Sequence, residues 1–190
     1  MGERERALVA PPGAGFQGRV LVMDAGDVQR ATWRIGHEII EHNRGARRVV
    51  LVGLQTGGTW IARALAEVIG SVTGTPVPVG ALDVAYYRDD IGRRPLAPVA
   101  PTEIPVGLDE AVVILCDDVL FTGRTVRAAL NALCDLGRPA AVQLAVMVDR
   151  GHRELPVRPD FVGKNLPTRR AEMVDVSPQG VVLGDVVQAG

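Results

Sequence analysis

The chain has 190 residues, of which 47% are hydrophobic and 23% are charged, and its formal net charge is -1. This length and composition are typical of one globular domain, and the small net charge excludes polyanion binding through overall charge alone. No apolar run is long enough to span a membrane and residues 1–6 are polar, so we expect neither a membrane segment nor a signal peptide. Two cysteines do not make a disulfide framework, which indicates a cytoplasmic location.

Strands and helices are predicted to alternate along the chain. We expect a loose tail over residues 1–18 and a single domain over residues 19–190. Helical spacing of apolar residues predicts helices that begin near Val28, Ile61 and Val126. Runs of apolar residues predict strands at residues 19–24, 47–54, 76–87, 111–116 and 141–149, with shorter candidates at 171–176 and 180–187.

This alternation predicts an α/β fold with a central parallel sheet that is covered on both faces. Ligands of such sheets bind beyond the carboxyl ends of the strands. Several other sites are excluded, because the chain has no G-x-S-x-G elbow, no zinc-type spacing of His and Cys, and no G-x-x-x-x-G-K-[ST] loop.

The segment CDDVLFTGRT, residues 116–125, carries the strongest chemical signal. Asp117 and Asp118 follow a buried strand, and the turn of residues 122–125 leads into a helix. Backbone N–H groups at a helix N-terminus bind anions, and carboxylates accept hydrogen bonds from vicinal hydroxyls. The pattern predicts a sugar phosphate, with phosphate in the turn and the diol on the acids, and Mg²⁺ could bridge them. The alternative is that the acids only cap the turn.

The same string resembles the phosphoribosyl-diphosphate (PRPP) signature of type I phosphoribosyltransferases. Purine enzymes of this fold commonly carry an acid directly before the Thr-Gly pair, and Phe121 at that position transfers no proton, which favours a pyrimidine base. Residues 20–187 also resemble the family of bifunctional pyrimidine-operon regulators, PyrR. The segments that carry this resemblance are RIGHEIIEHNRG, LDVAYYRDD, DDVLFTGRTVRAALNAL and DRGHRELPVRPDFVGKN.

The resemblance implies a type I phosphoribosyltransferase fold with a mobile hood loop over residues 86–102. It implies an enzyme that converts uracil and PRPP to UMP and pyrophosphate with Mg²⁺. It also implies an RNA-binding protein that responds to UMP or UTP and regulates pyrimidine-operon mRNA by transcription attenuation. A homo-oligomer, either a dimer or a tetramer, is expected.

Site residues follow from the same resemblance. The ribose hydroxyls are assigned to Asp117 and Asp118, which also serve Mg²⁺, directly or through ribose or water. The 5'-phosphate cradle comprises Leu120, Phe121, Thr122, Gly123, Arg124 and Thr125, and the pyrophosphate loop comprises Gln55, Thr56, Gly57 and Gly58. In the hood, Arg88, Arg93 and Arg94 suit pyrophosphate, and Arg88 is also assigned a catalytic role. Uracil is expected beside residues 147–151.

The RNA surface is predicted in a locally basic segment. Residues 150–170 hold six basic and two acidic residues, a local charge of +4. The resemblance assigns RNA binding to Arg153, Arg158 and Lys164, and His42 and Arg44 extend the same surface. An alternative is that these charges are solvated or lie at a subunit interface.

The chain departs from the family pattern at several positions. Gly57 replaces an arginine of the pyrophosphate loop, which leaves open a regulator with little transferase activity. A phosphoribosyltransferase without an RNA role is the other alternative. Further departures are Cys116, Phe121, Trp60 and Arg169, of which Cys116 is interpreted as a small core residue.

Overall fold

The computed structural model describes residues 14–55, 57–85 and 101–188. Within these residues it contains three helices and eight strands. In chain order they are β1 (Ala14–Asp24), α1 (Ala25–His42), β2 (Val49–Leu54), α2 (Gly58–Thr73), β3 (Val79–Leu82), β4 (Val112–Leu120), α3 (Arg124–Leu136), β5 (Ala141–Asp149), β6 (Phe161–Asn165), β7 (Glu172–Ser177) and β8 (Gly180–Gln188).

The strands form two sheets. The larger is a five-stranded parallel sheet in the order β3-β2-β4-β5-β6, and the smaller is an antiparallel sheet in the order β1-β8-β7. Every residue of β2 is buried, as are Val113 through Asp117 of β4. Such unbroken burial is expected of a parallel strand covered on both faces. The predicted α/β fold is therefore confirmed.

Successive residues of the central strands enter opposite cores, because side chains alternate across a strand. Leu51, Ile114 and Cys116 pack with α1, α2 and the small sheet. Val52, Val113 and Leu115 pack on the other side with α3. The helices contribute one apolar stripe each to these cores: Val28, Ala31, Ile35 and Ile39 from α1; Ile61, Leu65 and Ile69 from α2; Val126, Ala129 and Leu133 from α3.

The order of the strands fixes where a ligand site can form. From β2 the chain moves to β3 on one side, and it then returns past β2 to β4, β5 and β6 on the other side. The connections after β2 and β4 therefore diverge, which leaves a crevice between the carboxyl ends of these two strands. Crevices at such switch points are the usual ligand sites of open α/β sheets.

Several element boundaries differ from the sequence prediction. β1 begins at Ala14, so residues 14–18 belong to a strand and not to a tail, because they pair with residues 184–188 of β8. Of the predicted strand 76–87, the described residues 76–85 form a strand only at Val79–Leu82, and residues 86 and 87 lie outside the described residues. β6 was not predicted, because its five residues, FVGKN, combine a glycine with two polar residues. Residues 1–13 of the predicted tail and 86–100 of the predicted hood lie outside the described residues.

Every helix in the described ranges is too short or too polar to cross a lipid bilayer. Both cysteines are free thiols. Cys116 is fully buried in the core, as predicted, and burial raises the pKa of its thiol, so it is not a nucleophile.

Glu172 joins three strands of the small sheet. Its carboxylate accepts hydrogen bonds from the Arg169 backbone N–H at 2.6 Å, from the Arg169 guanidinium at 3.0 Å and from Arg19 of β1 at 2.5 Å. Arg19 also contacts Asp185 of β8 at 2.6 Å. Only 8% of Glu172 is exposed, so this carboxylate is a buried anchor for the sheet.

The substitution Glu172→Gln tests this anchor through its pH dependence. The Arg169 N–H, then the guanidinium groups of Arg169 and Arg19, lower the pKa of Glu172 from 4.5 to about 2. A carboxyl group whose pKa is lower in the folded state stabilises the fold at pH values above its unfolded-state pKa. This stabilisation is lost as the pH falls through its folded-state pKa. We expect the variant to lower the urea midpoint at pH 7, with a difference from wild type that shrinks between pH 4.5 and 2. The same change at exposed Glu41 is the control, and a pH-independent difference would contradict the prediction.

Candidate active site at the carboxyl ends of β2 and β4

The two aspartates lie in the second half of β4, next to the point where β2 has ended. The β2–β4 pairing finishes at Gly53 and Cys116, whereas β4 continues to Leu120 beside β5. The strand thus ends four residues later than predicted, and it carries Asp117 and Asp118 into the switch-point crevice. The loop after β2 lies directly opposite them.

Both carboxylates are held by backbone N–H groups of their own strand. Asp117 is 8% exposed and accepts from the Asp118 N–H at 3.0 Å. Asp118 is half-buried and accepts from the Val119 N–H at 2.7 Å. Burial raises the pKa of Asp118, and nearby Asp175 acts in the same direction. These short bonds fix the two carboxyl groups before a ligand arrives.

The pyrophosphate loop packs against Asp118. A Cβ on Gly57 would lie 2.0 Å from the Asp118 Oδ2 atom, and one on Gly58 would lie 1.9 Å from the Cys116 carbonyl oxygen. Gln55 donates its N–H to the Leu82 carbonyl of β3 at 3.0 Å. Two of the four predicted loop residues, Gly57 and Gly58, therefore lie beside the aspartates. Gln55 is bonded to β3, and Thr56 lies outside the described residues.

The 5'-phosphate loop turns sharply at Gly123. This residue has φ of +90°, which disfavours other residues, and it is the N-cap of α3. Gly123 has no side chain to cap the helix. At this positive end of α3 the Arg124 N–H donates to the Thr122 hydroxyl at 3.4 Å. A Cβ at Gly123 would also lie 3.3 Å from Val157. The predicted strand–turn–helix arrangement of residues 116–125 is confirmed.

A segment after β5 supports this loop from its outer side. Register places Leu120 beside Asp149, so the chain that leaves β5 runs next to the loop. The Thr122 carbonyl accepts the N–H groups of Glu154 at 3.0 Å and Leu155 at 3.2 Å. Residues 149–157 therefore form a support segment for the phosphate loop, and this contact was not predicted for residues 152–157.

Phe121 is enclosed by cationic groups. The Arg150 guanidinium lies 4.1 Å from the ring centroid and that of Arg170 lies at 5.8 Å, while His152 meets the ring edge-on at 5.8 Å. Arg150 is only 5% exposed and donates to the Arg169 carbonyl at 3.0 Å. The ring is held by cation–π contacts, and this position supplies no acid to the site.

Glu154 links the phosphate loop to the basic segment. It accepts from Arg124 Nε at 2.9 Å and also from Arg170. These two hydrogen bonds, that of Arg124 first, lower the pKa of Glu154. The sequence analysis missed Glu154, Arg150 and Arg170 because they lie 29 to 49 residues after Phe121 in the chain. The register of β4 with β5 is the signal that could have found them.

The predicted RNA-binding residues divide into two groups. Arg158 and Lys164 are exposed, as are His42 and Arg44 at the end of α1. Arg153 is different, because its side chain is 22% exposed and its guanidinium pairs with Asp149 at 2.5 Å. RNA would have to displace Asp149 in order to contact the Arg153 guanidinium, so Arg153 does not have the surroundings of a surface cation. The hood residues Arg88, Arg93 and Arg94 lie outside the described residues.

Known proteins are similar in sequence to this chain over most of its length. Residues 27–179 match the family described as the phosphoribosyl transferase domain. The bifunctional protein PyrR of Streptomyces coelicolor is 55% identical over 156 residues, which cover 82% of this chain and 81% of that protein. The bifunctional protein PyrR of Brevibacillus brevis is 52% identical over 168 residues, which cover 88% of this chain and 94% of that protein.

Solved structures share the fold at low sequence identity. The hypoxanthine phosphoribosyltransferase of Trypanosoma cruzi superposes with a TM-score of 0.69 at 16% identity, covering 88% of this chain and 97% of that one. That of Staphylococcus aureus gives a TM-score of 0.68 at 16% identity, covering 89% and 93%. The predicted type I phosphoribosyltransferase fold is thereby confirmed. The chain belongs to the phosphoribosyl transferase domain family and, within it, to the bifunctional PyrR proteins.

Proposed function

We propose that this protein transfers the phosphoribosyl group of PRPP to uracil, and that it also binds pyrimidine-operon mRNA in a UMP- or UTP-dependent manner. The products of the transfer are UMP and pyrophosphate. One observation carries the catalytic part: at the switch point of the sheet, the acid pair of β4 lies beside the loop after β2, and the glycine turn before α3 follows directly from the end of β4. Together these three features fit the three parts of PRPP.

The 5'-phosphate is assigned to the turn of residues 122–125. Helix N-termini favour anions through their N–H groups and the helix dipole, and α3 has 13 residues. The ribose hydroxyls are assigned to Asp117 and Asp118, since ionised carboxylates are strong acceptors. The leaving pyrophosphate then extends toward Gly57 and Gly58, whose missing side chains allow close approach of the backbone.

Each part has a role in the reaction. The bond from C1 of the ribose to a pyrophosphate oxygen breaks, a bond from C1 to a uracil nitrogen forms, and the proton of that nitrogen passes to the released pyrophosphate or to water. Positive charge develops on the sugar ring because the first bond breaks ahead of the formation of the second. The carboxylates beside the ribose stabilise this charge, and loop N–H groups stabilise the departing anion. The uracil is assigned to the end of β5, near residues 147–151. Phe121 gives no proton donor there, which supports a pyrimidine over a purine substrate.

The site fits Mg²⁺ that arrives with PRPP. Magnesium usually binds through one or two carboxylates together with substrate phosphates and waters. Asp117 and Asp118 provide such a pair, while no group of three or more metal-ligating side chains occurs within residues 14–55, 57–85 and 101–188. When bound, the ion would neutralise charge on the pyrophosphate.

The RNA surface is assigned to Arg158 and Lys164, with His42 and Arg44 alongside. All four are exposed. Exposed cations bind phosphates and release counterions, and single-stranded loop bases provide sequence specificity. Exposed apolar residues on another surface support a homo-oligomer, dimeric or tetrameric: Val20 is 50% exposed, Leu21 62% and Trp33 44%.

The second candidate function is a nucleotide-sensing RNA regulator with little transferase activity. Gly57 favours it, because the cationic side chain common at this position of the family is missing from the pyrophosphate loop. In a regulator with little transferase activity, the proposed 5'-phosphate and ribose sites would still bind a nucleotide. The two candidates therefore differ in catalysis and agree in nucleotide binding.

The transferase is tested by incubating the purified protein with uracil, PRPP and Mg²⁺ and measuring UMP. We expect UMP formation, and a loss of roughly 10- to 100-fold in kcat/KM for Asp117→Asn, because hydrogen bonds to charged groups contribute about 1.5–3 kcal/mol. Arg138→Ala, an exposed change at the end of α3, is the control. Absence of UMP with wild-type protein, together with intact UMP binding, would favour the second candidate.

The contact between Gly57 and Asp118 makes a separate prediction. A methyl group in Gly57→Ala displaces the Asp118 carboxylate, so we expect about a tenfold loss of kcat/KM for PRPP. In an Asp118→Ala background the obstructing atoms are gone, and the same change should then cost less than about threefold. Equal losses in both backgrounds would show that Gly57 acts independently of Asp118.

The RNA surface is tested with leader RNA of the organism's own pyrimidine genes. We expect tighter binding with UMP than without it, and weaker binding for Arg158→Gln and Lys164→Gln. Each lost phosphate contact should reduce the salt slope of log affinity by about 0.7. Arg138→Gln serves as the matched control, and transferase activity should be unchanged in all three variants. Binding that ignores both UMP and salt would contradict the regulatory role.

A further inference from the structure

Arg153 connects three segments around the phosphate loop. Its guanidinium bonds to the Asp149 carboxylate at 2.5 Å, to the Phe121 carbonyl at 2.8 Å and, through Nε, to the Val157 carbonyl at 3.0 Å. Asp149 is held in turn by the Gly151 N–H at 3.0 Å. Arginine suits this role because its donors form a rigid planar fork.

These bonds fix the direction of two consecutive peptide planes in the loop. A trans peptide is planar, and its C=O and N–H groups point in opposite directions. Arg153 holds the Phe121 carbonyl, so the Thr122 N–H points away from the support segment. Glu154 and Leu155 hold the Thr122 carbonyl, so the Gly123 N–H also points away from it. Both N–H groups are therefore oriented by contacts on the opposite side of the loop.

We propose that Arg153 is a positioning residue of the 5'-phosphate site, which it serves without touching the phosphate. This inference rests on the proposed function, because it concerns the same loop. Arg153 acts through the Phe121 carbonyl, and Asp149 keeps its guanidinium in place. These bonds hold the end of β5 and residues 153–157 rigidly against the back of the anion site. The site is therefore already ordered before the ligand binds.

The role of Arg153 separates it from the neighbouring cations. Arg158 and Lys164 are exposed, whereas the Arg153 side chain is 22% exposed and its donors have internal acceptors. Removing it leaves the phosphate loop without one of its carbonyl anchors and leaves Asp149 without its cation. The resulting defect concerns recognition of the phosphate group, not of the uracil or the ribose.

The test compares UMP with uridine, which differ only by the 5'-phosphate. Dissociation constants for both are measured by calorimetry with wild-type protein, Arg153→Ala, Arg153→Lys and the control Arg138→Ala. We expect wild type and control to prefer UMP strongly. Arg153→Ala should reduce that preference about tenfold with uridine affinity nearly unchanged, and Arg153→Lys should lie between, because lysine keeps the charge beside Asp149 but lacks the fork.

Each result bears on the inference. If wild type shows no preference for UMP over uridine, the proposed phosphate site is wrong and the inference falls with it. If wild type prefers UMP and both Arg153 variants keep that preference, the proposed function stands and the positioning role is wrong. A variant that loses RNA binding while keeping the UMP preference would identify Arg153 as a direct RNA contact. If Arg153→Ala does not fold, Arg153→Lys decides the question.

Discussion

Parallel pairing of β4 with both β2 and β5 is the constraint on which the site depends. The pairing with β2 ends at Gly53, which leaves Asp117 and Asp118 beside the loop that follows β2. The pairing with β5 runs on to Leu120 and Asp149, which brings the support segment 149–157 to the phosphate loop. One strand thus carries the acids and sets the positions of the two loops beside it. A register shift of one residue would change the face of the sheet on which each aspartate lies.

Charge in the site is arranged so that acids and phosphate groups coexist. Two carboxylates near a bound phosphate repel it unless positive groups lie close. The positive end of α3 lies at the turn, and Arg124 extends from its first residue. Arg150 and Arg170 surround Phe121, and Glu154 holds Arg124 and Arg170 in place. Burial also raises the pKa of Asp118. Under the proposed function, these cations lie toward the phosphate groups and the acids lie toward the sugar.

Local sequence patterns predicted the parts that depend on local physics. Apolar runs gave the central strands, helical spacing gave all three helices, and the Thr-Gly pair marked the positive-φ turn at Gly123. β6 was missed because its short polar sequence is made a strand by pairing with β5, and the start of β1 was missed because β8 fixes it from the other end of the chain. The role of Arg153 was missed for the same reason, since arginine in a loop resembles a surface cation until its distant acceptors are known.

The departure at Gly57 has a physical explanation in Asp118. The Asp118 carboxylate occupies the place that a side chain at position 57 would need, with 2.0 Å between Oδ2 and the position of a Cβ. An arginine there would require the Asp118 side chain to rotate away from its observed position, whereas glycine leaves that position undisturbed. Under the proposed function, pyrophosphate would then be held by backbone N–H groups and by cations from another segment, since position 57 supplies no cationic side chain. Arg88, Arg93 and Arg94, which lie outside the described residues, have the composition that this role needs. We therefore expect catalysis in this chain to depend on them more than on the loop after β2.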